Sequence, residues 1–127
     1  MLQKKYADTD FFLALMKDSD WLKEKVREVY KRNKLSIFVS PFTIAEMMIV
    51  CKRENIPIKE TLMQISRIAK LENFSWNIFF SACNFMEKGA TVFVSLLMAI
   101  CSKNDQIISS DNIYKKFGFK VIDLKKK

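Results

Sequence analysis

The chain contains no histidine, only two glycines and two prolines, and no long apolar run. Without histidine, Ser-His-Asp and Cys-His nucleophile systems and paired-histidine ribonuclease chemistry are excluded. The scarcity of glycine and proline leaves little material for a linker. The longest uncharged runs, 73–86 and 89–102, are shorter than the roughly 20 residues of a membrane-spanning helix, and the N-terminus lacks a signal-peptide pattern. We therefore expect one cytoplasmic domain over residues 1–127, with no membrane partner.

The composition of the 127 residues supports a real core and a phosphate-bearing partner. Half of the residues are apolar, which is enough for a packed interior. The net charge of +8 suits binding to phosphates, although a lysine-rich surface also serves solubility. Cys51, Cys83 and Cys101 lie in apolar stretches without metal-site spacing. We predict that they are buried thiols in a reducing compartment.

Short apolar segments alternate with helical patterns along the chain. The segments with strand character are residues 5–7, 35–39, 106–110 and 119–122. Ser40 with Pro41 predicts the start of one helix, and Ser75 is an N-cap candidate for another. Residues 91–101 predict a buried helix, with a strand over 91–94 as the alternative. The alternation predicts an α/β fold whose mostly parallel sheet of four or five short strands has helices on both faces.

Aspartates follow two of the predicted strands. Asp8 and Asp10 flank Thr9 at the end of the first strand, and Asp111 follows the segment 106–110. In parallel sheets, ligands bind beyond the carboxyl ends of the strands. The alternative role of each aspartate is that of a helix N-cap.

Glu46 stands out among the acids because of its apolar surroundings. It is the only charged residue between Lys34 and Lys52. A buried carboxylate is costly unless it is paired or bound to a metal, whereas on the exposed stripe of an amphipathic helix it would need no partner. Together with the aspartates at the strand ends, Glu46 predicts a carboxylate cluster that binds a hard cation through oxygen.

Five short motifs occur in order along the chain, at residues 6–11 (YADTDF), 40–46 (SPFTIAE), 89–100, 107–111 (IISSD) and 118–122 (GFKVI). In order and spacing they resemble the PIN domain family and, within it, the VapC toxin ribonucleases. The resemblance covers essentially the whole chain. It implies the three-layer PIN-like form of the α/β fold predicted above.

The resemblance also implies a set of site residues. The residues that it assigns to catalysis and to binding of Mg²⁺ or Mn²⁺ are Asp8, Glu46 and Asp111. Asp10 is a further candidate ligand, and the hydroxyl residues Ser109 and Thr9 are auxiliary candidates. Val94 stands where the family pattern has another aspartate. A valine cannot bind a metal, so Asp10 compensates, or the chain binds RNA or a partner without efficient cleavage, or the valine silences the enzyme.

The function that follows is metal-assisted cleavage of RNA phosphodiester bonds by a toxin of a toxin-antitoxin pair. The resemblance implies a small antitoxin that inserts a tail into the acidic groove, and a homodimer for which the apolar helix over 58–70 is the candidate surface. The basic residues predicted to hold the RNA backbone are Lys4, Lys5, Lys115 and Lys116, with solvated surface charge as their alternative role.

Two other functions stay open. A non-catalytic binding module would keep the fold without the metal chemistry. A phosphate-receiving α/β domain is weaker, because no acceptor-aspartate motif occurs in the middle of the chain.

Overall fold

The computed structural model describes residues 3–17 and 21–126. Within these residues, the strands are β1 (Lys5–Ala7), β2 (Ile37–Val39), β3 (Lys70–Leu71), β4 (Gln106–Ser109) and β5 (Lys120–Asp123). The helices are α1 (Thr9–Met16), α2 (Lys23–Asn33), α3 (Pro41–Arg53), α4 (Ile58–Ile68), α5 (Trp76–Glu87), α6 (Val92–Ile100) and α7 (Ile113–Lys116). No helix in this part of the chain combines the length and the apolar character that a membrane crossing requires.

The five strands form one sheet in the order β3-β2-β1-β4-β5, and each neighbouring pair is parallel. The prediction of a mostly parallel sheet is therefore confirmed. β3 was not predicted, because Lys70 and Leu71 are both exposed and too few to show a pattern. The alternative strand over 91–94 is wrong, since that segment begins α6.

Side chains that alternate along the strands divide between two apolar clusters. Tyr6 and Ile107 belong to a cluster that includes residues of α6 and α7. Ala7 and Ile108 belong to the other cluster, with residues of α1 and α2. Successive strand residues point to opposite faces of a sheet, so helices cover both faces here. The predicted three-layer α/β arrangement is thus confirmed.

The strand order reverses between β1 and β4. From β1 the chain proceeds to β2 and β3 on one side, and it then crosses to β4 and β5 on the other side. A crevice forms beyond the carboxyl ends of the strands at such a point, because the two connections leave in opposite directions. Asp8 follows β1 and Ser110 follows β4, so both lie at this crevice.

The buried hydroxyl of Ser40 caps the helix that includes Glu46. The Ser40 Oγ accepts a hydrogen bond from the Phe42 backbone N at 3.1 Å, and Pro41 occupies the first turn. The predicted start of α3 is confirmed. Ser75 occupies the equivalent position before α5, but its side chain accepts no capping hydrogen bond.

The substitution Ser40→Ala is expected to lower the free energy of unfolding by about 1 kcal/mol, because it leaves a helical N–H without its acceptor. Urea unfolding measures the change. The matched control is Ser75→Ala, which removes a hydroxyl from the same helix position without removing a cap. Equal losses in the two variants would contradict this account.

The cysteine prediction is right for one residue and wrong for another. Cys51 is buried, whereas Cys101 is partly buried and Cys83 is exposed. Cys83 lies on the outer side of α5, whose buried residue is Ala82. An apolar helix sequence suggests burial on all sides, but α5 packs along one face and leaves the other open.

Candidate functional site

Asp8 is the N-cap of α1 and faces the end of β4. Its Oδ1 accepts a hydrogen bond from the Thr9 backbone N at 2.8 Å. Its Oδ2 accepts hydrogen bonds from the Ser109 Oγ at 3.1 Å and the Tyr114 hydroxyl at 2.9 Å. The N-cap role and the site role, which the sequence offered as alternatives, therefore occur in the same residue.

Asp10 lies in the first turn of α1 and is held by the residue that follows β4. Its Oδ2 accepts hydrogen bonds from the Ser110 backbone N at 2.7 Å and from the Ser110 Oγ. The Ser109 Oγ lies 3.5 Å from the same oxygen, so one hydroxyl lies between the two aspartates. Among the described residues, no group donates to the other oxygen, Asp10 Oδ1, although it is buried.

Burial and negative charge raise the pKa of Asp8 to about 6. Burial is the larger cause, and the nearby Asp10 carboxylate adds to it. Hydrogen bonds from the Thr9 backbone, Tyr114 and Ser109 act in the opposite direction. The ion pairs found in the described part of the chain do not include Asp8 or Asp10. The site thus concentrates negative charge, and no basic side chain of the described residues forms an ion pair with either aspartate.

Glu46 is half-buried in α3 and is close enough to the aspartates to feel their charge. Burial and then the Asp8 carboxylate raise its pKa, with a smaller contribution from Asp10, while a hydrogen bond from the Thr9 side chain lowers it. The hydrogen bond from Thr9, the first residue of α1, links Glu46 to the helix that begins at Asp8. Glu46 therefore lies at the same crevice as the aspartates.

Asp111 lies at the exposed rim of the crevice. Its Oδ1 accepts a hydrogen bond from the Ile113 backbone N at 3.0 Å, and its own N–H donates to the Ser109 Oγ at 3.0 Å. Its charge also contributes to raising the pKa of Tyr114. Asp111 is thus near the aspartate pair, but it faces solvent and caps the turn before α7.

The acids adjoin one another without forming a complete metal-binding group. Within residues 3–17 and 21–126, no three acidic or thiol side chains have the spacing that holds a metal ion. Asp8 and Asp10 are the two carboxylates that a single hydroxyl joins. Two carboxylates with bound water and a substrate phosphate are a common environment for Mg²⁺, which retains several waters.

The basic residues predicted to bind RNA are Lys4, Lys5, Lys115 and Lys116, and they lie at two different places. Lys4 and Lys5 are at the start of β1, so the length of the strand separates them from Asp8. Lys115 and Lys116 lie in α7, which directly follows the crevice, and Lys115 forms an ion pair with Asp123. Lys116 is therefore the better placed lysine for a backbone bound at the acids.

Sequence reasoning did not identify two residues of the site, and it noted one departure from the family pattern, Val94. Ser110 and Tyr114 bind the aspartates, yet a serine after a strand and a tyrosine in a short helix have no periodicity that marks this role. The sequence feature that came closest to indicating their role was their position near Asp111 in the chain. Val94 is partly buried and packs against the cluster that contains Tyr114.

Comparisons with known proteins agree with this fold. The PIN domain family matches residues 5–120 of the chain. No curated protein sequence matches it. A toxin-antitoxin complex from Klebsiella pneumoniae is similar in structure, with a TM-score of 0.77, 14% sequence identity and coverage of 98% of this chain and 100% of that one.

Two further solved structures are similar. The sarcin-ricin loop cleaving toxin VapC20 of Mycobacterium tuberculosis has a TM-score of 0.75 and 12% identity, over 91% of this chain and 96% of its own. DNA-bound VapBC from Salmonella typhimurium has a TM-score of 0.71 and 15% identity, over 97% and 99%. At these identities the structures show a shared fold, and the family match covers most of the sequence. The chain belongs to the PIN domain family.

Proposed function

We propose that this chain is a metal-dependent endoribonuclease, the toxin of a VapC-type toxin-antitoxin pair. The observation that most supports the proposal is the buried Asp10 Oδ1, which has no hydrogen-bond donor among the described residues; the Ser109 hydroxyl joins this side chain to a second carboxylate, Asp8. A buried anionic oxygen is costly without a donor or a cation. The match to the PIN domain family, whose nucleases generally use divalent metals, supports the same conclusion.

The donor set fits Mg²⁺ or Mn²⁺. All of the candidate ligands are carboxylate oxygens, which these hard cations prefer over nitrogen or sulfur. Asp8 and Asp10 would hold the ion, and Glu46 would add a carboxylate from α3. Asp111 would act from the rim through a bound water. This proposal retains the predicted acids Asp8, Glu46 and Asp111 and gives Asp10 a larger part.

The metal would act as a Lewis acid on the phosphate and would lower the pKa of a water bound to it. Side chains of the protein would hold the ion, accept the proton and bind the RNA. Asp8 and Asp10 would fix the ion at the crevice, and the half-buried Glu46 would accept a proton from the attacking water. Lys116 would hold the RNA backbone beside the acids, because Lys115 is paired with Asp123.

The proposed partners are an RNA substrate, a small antitoxin and a second copy of the chain. The structural relatives include a toxin-antitoxin complex and DNA-bound VapBC, which supports an antitoxin partner here. An apolar groove of about 480 Å³ beside the edge strand could accept an apolar peptide side chain; it is lined by Val39, Ile44, Leu62, Ile65, Ala69 and Leu71. Residues of α4 border this groove, so the predicted dimer surface over 58–70 and antitoxin docking would compete for α4.

The test is RNA cleavage by the purified chain with Mn²⁺ or Mg²⁺ and with EDTA. We expect a defined set of internal cuts with metal and none with EDTA. Calorimetric titration of Mn²⁺ into the same preparation should show binding. Cleavage that persists in EDTA would refute the metal-dependent mechanism. Absence of both cleavage and metal binding would refute the proposal that the chain is an enzyme.

A second candidate function is a PIN-fold binding module without catalysis. Val94 favours it, because this apolar side chain packs into the cluster beside Tyr114 at the place where the family pattern has an acid. The variant Val94→Asp distinguishes the two. If the wild type binds RNA but neither binds metal nor cuts, while Val94→Asp does both, the chain is a binding module derived from a nuclease.

A further inference from the structure

Three hydroxyl residues of one short segment hold both aspartates of the site. We call Ser109, Ser110 and Tyr114 the hydroxyl cluster. We infer that this cluster orients Asp8 and Asp10 so that one oxygen of each stays open to a cation, and that Tyr114 is its positioning residue for Asp8. The inference rests on the proposed function and names residues that determine the metal affinity of the same site.

Hydrogen bonds occupy both lone pairs of one carboxylate oxygen of Asp8. Each carboxylate oxygen has two lone pairs. The Oδ2 accepts from Ser109 at 3.1 Å and from Tyr114 at 2.9 Å, which uses both. Among the described residues, the only donor to Oδ1 is the Thr9 backbone N, so one of its lone pairs remains. Asp8 can therefore bind a cation through Oδ1 without losing any of these contacts.

Asp10 repeats this arrangement. Its Oδ2 accepts two hydrogen bonds from Ser110, one from the backbone N–H and one from the hydroxyl. Its Oδ1 is buried, and no group in the described part of the chain donates to it. Each aspartate thus has one oxygen saturated by the hydroxyl cluster and one with capacity left. Two adjacent carboxylates arranged in the same way indicate a prepared cation site.

Tyr114 is suited to hold Asp8 because its ring cannot move freely. The residue is 1% exposed and belongs to the apolar cluster that also contains Leu97 and Met98. A ring fixed by packing keeps its hydroxyl in place, so little conformational entropy is lost when the hydrogen bond forms. Phenylalanine would retain the packing but would leave a lone pair of Asp8 Oδ2 unused. The carboxylate could then rotate away from the orientation that binds metal.

The chain offers a matched control in Tyr6. This residue is 2% exposed and belongs to the same apolar cluster. Its hydroxyl also donates to a carboxylate, Glu72 Oε2, at 2.7 Å. Glu72 lies beyond β3 and binds Lys4, away from the aspartate pair. Tyr6→Phe therefore removes a comparable buried hydrogen bond without touching the site.

The experiment compares Mn²⁺ binding by the full chain and by Tyr114→Phe and Tyr6→Phe, measured by calorimetry and by electron paramagnetic resonance of free Mn²⁺. We expect Tyr114→Phe to weaken binding about tenfold, as loss of a partner of a metal ligand usually does. Tyr6→Phe should bind within about twofold of the wild type. In RNA cleavage, Tyr114→Phe should need more Mn²⁺ for half activity but approach the wild-type kcat at saturation.

Each outcome decides the question. Equal Mn²⁺ affinity in the wild type and Tyr114→Phe overturns the inference and leaves the proposed function standing. Equal weakening in both tyrosine variants also overturns it, because the effect would then be a general loss of stability. A wild type that binds no Mn²⁺ refutes the proposed function together with the inference. If Tyr114→Phe does not fold, Ser109→Ala replaces it in the experiment. This variant removes the other donor to Asp8 Oδ2, and we expect it to weaken Mn²⁺ binding to a similar degree.

Discussion

The substitution Asp10→Asn is expected to reduce Mn²⁺-dependent RNA cleavage by about 100-fold or more, whereas Asp111→Asn should reduce it by roughly tenfold. Asp10 has an open buried oxygen, and Asp111 is exposed with one oxygen bound to the Ile113 backbone. The predicted effects therefore rank the two acids in the opposite order from the family resemblance, which placed Asp111 among the catalytic acids and Asp10 only as a further candidate ligand.

The chemical reason lies in the hydrogen bonds of Asp10. An asparagine would keep its oxygen toward Ser110, which donates to Oδ2 through both its backbone N–H and its hydroxyl. Its NH₂ group would then occupy the position of the open Oδ1. An amide nitrogen is a donor and cannot coordinate a cation. The variant therefore removes a ligand while changing side-chain volume little.

The measurement is initial cleavage rate against Mn²⁺ concentration for Asp8→Asn, Asp10→Asn and Asp111→Asn. Asp8→Asn should resemble Asp10→Asn, because both remove a ligand of the same ion. Lys116→Ala is a useful comparison, since it should weaken RNA binding without changing the Mn²⁺ requirement. A nearly normal Asp10→Asn with a silent Asp111→Asn would show that the rim acid is the true ligand.

In EDTA, Asp8→Asn is expected to gain stability over the wild type as the pH rises from 4 to 7. The pKa of Asp8 is raised from 3.8 to about 6 in the folded chain, so the folded state binds more protons than the unfolded state between these values. Wild-type stability therefore falls as the pH rises through this interval. At pH 7 the full cost is present, on the order of 3 kcal/mol, and asparagine does not incur it.

Urea unfolding of both proteins at several pH values measures this difference. Hydrogen bonds lost by the asparagine shift the curve by a constant amount, so the change with pH isolates the carboxylate. Saturating Mn²⁺ should remove most of the difference by stabilising the wild type. A difference that stays constant from pH 4 to 7 would show that Asp8 ionises normally in the folded protein.

Much of the fold was visible in the sequence because its signals are local. Residues 5–7 and 106–110 have apolar side chains bounded by polar residues, and Ser40 with Pro41 marks a helix start by its chemistry. β3 was invisible because two exposed residues become a strand only by pairing with β2. The exposure of Cys83 could not be predicted from the sequence either, because the packing of neighbouring helices decides which side of α5 is covered.

The acids of the candidate site were proposed from the sequence, but their hydrogen bonds were not. Asp8 and Glu46 were identified from a strand end and from an apolar helix segment. The bond between Tyr114 and Asp8 joins residues 106 apart in the chain, and no local pattern records such a contact. The partnership of Asp10 with Ser110 has the same origin. Which acid keeps an open oxygen is a property of the folded site alone.

The position of β1 between β2 and β4 has a consequence for how the protein becomes active during synthesis. Ser109 and Tyr114 leave the ribosome about a hundred residues after Asp8. At roughly 5–20 residues per second, Asp8 therefore precedes the segment that completes its environment by about 5–20 seconds. A nascent chain that ends before this segment contains Asp8 and Asp10 but does not contain a functional site. Under the proposed function, the order of synthesis would delay cleavage of RNA, including the message being translated.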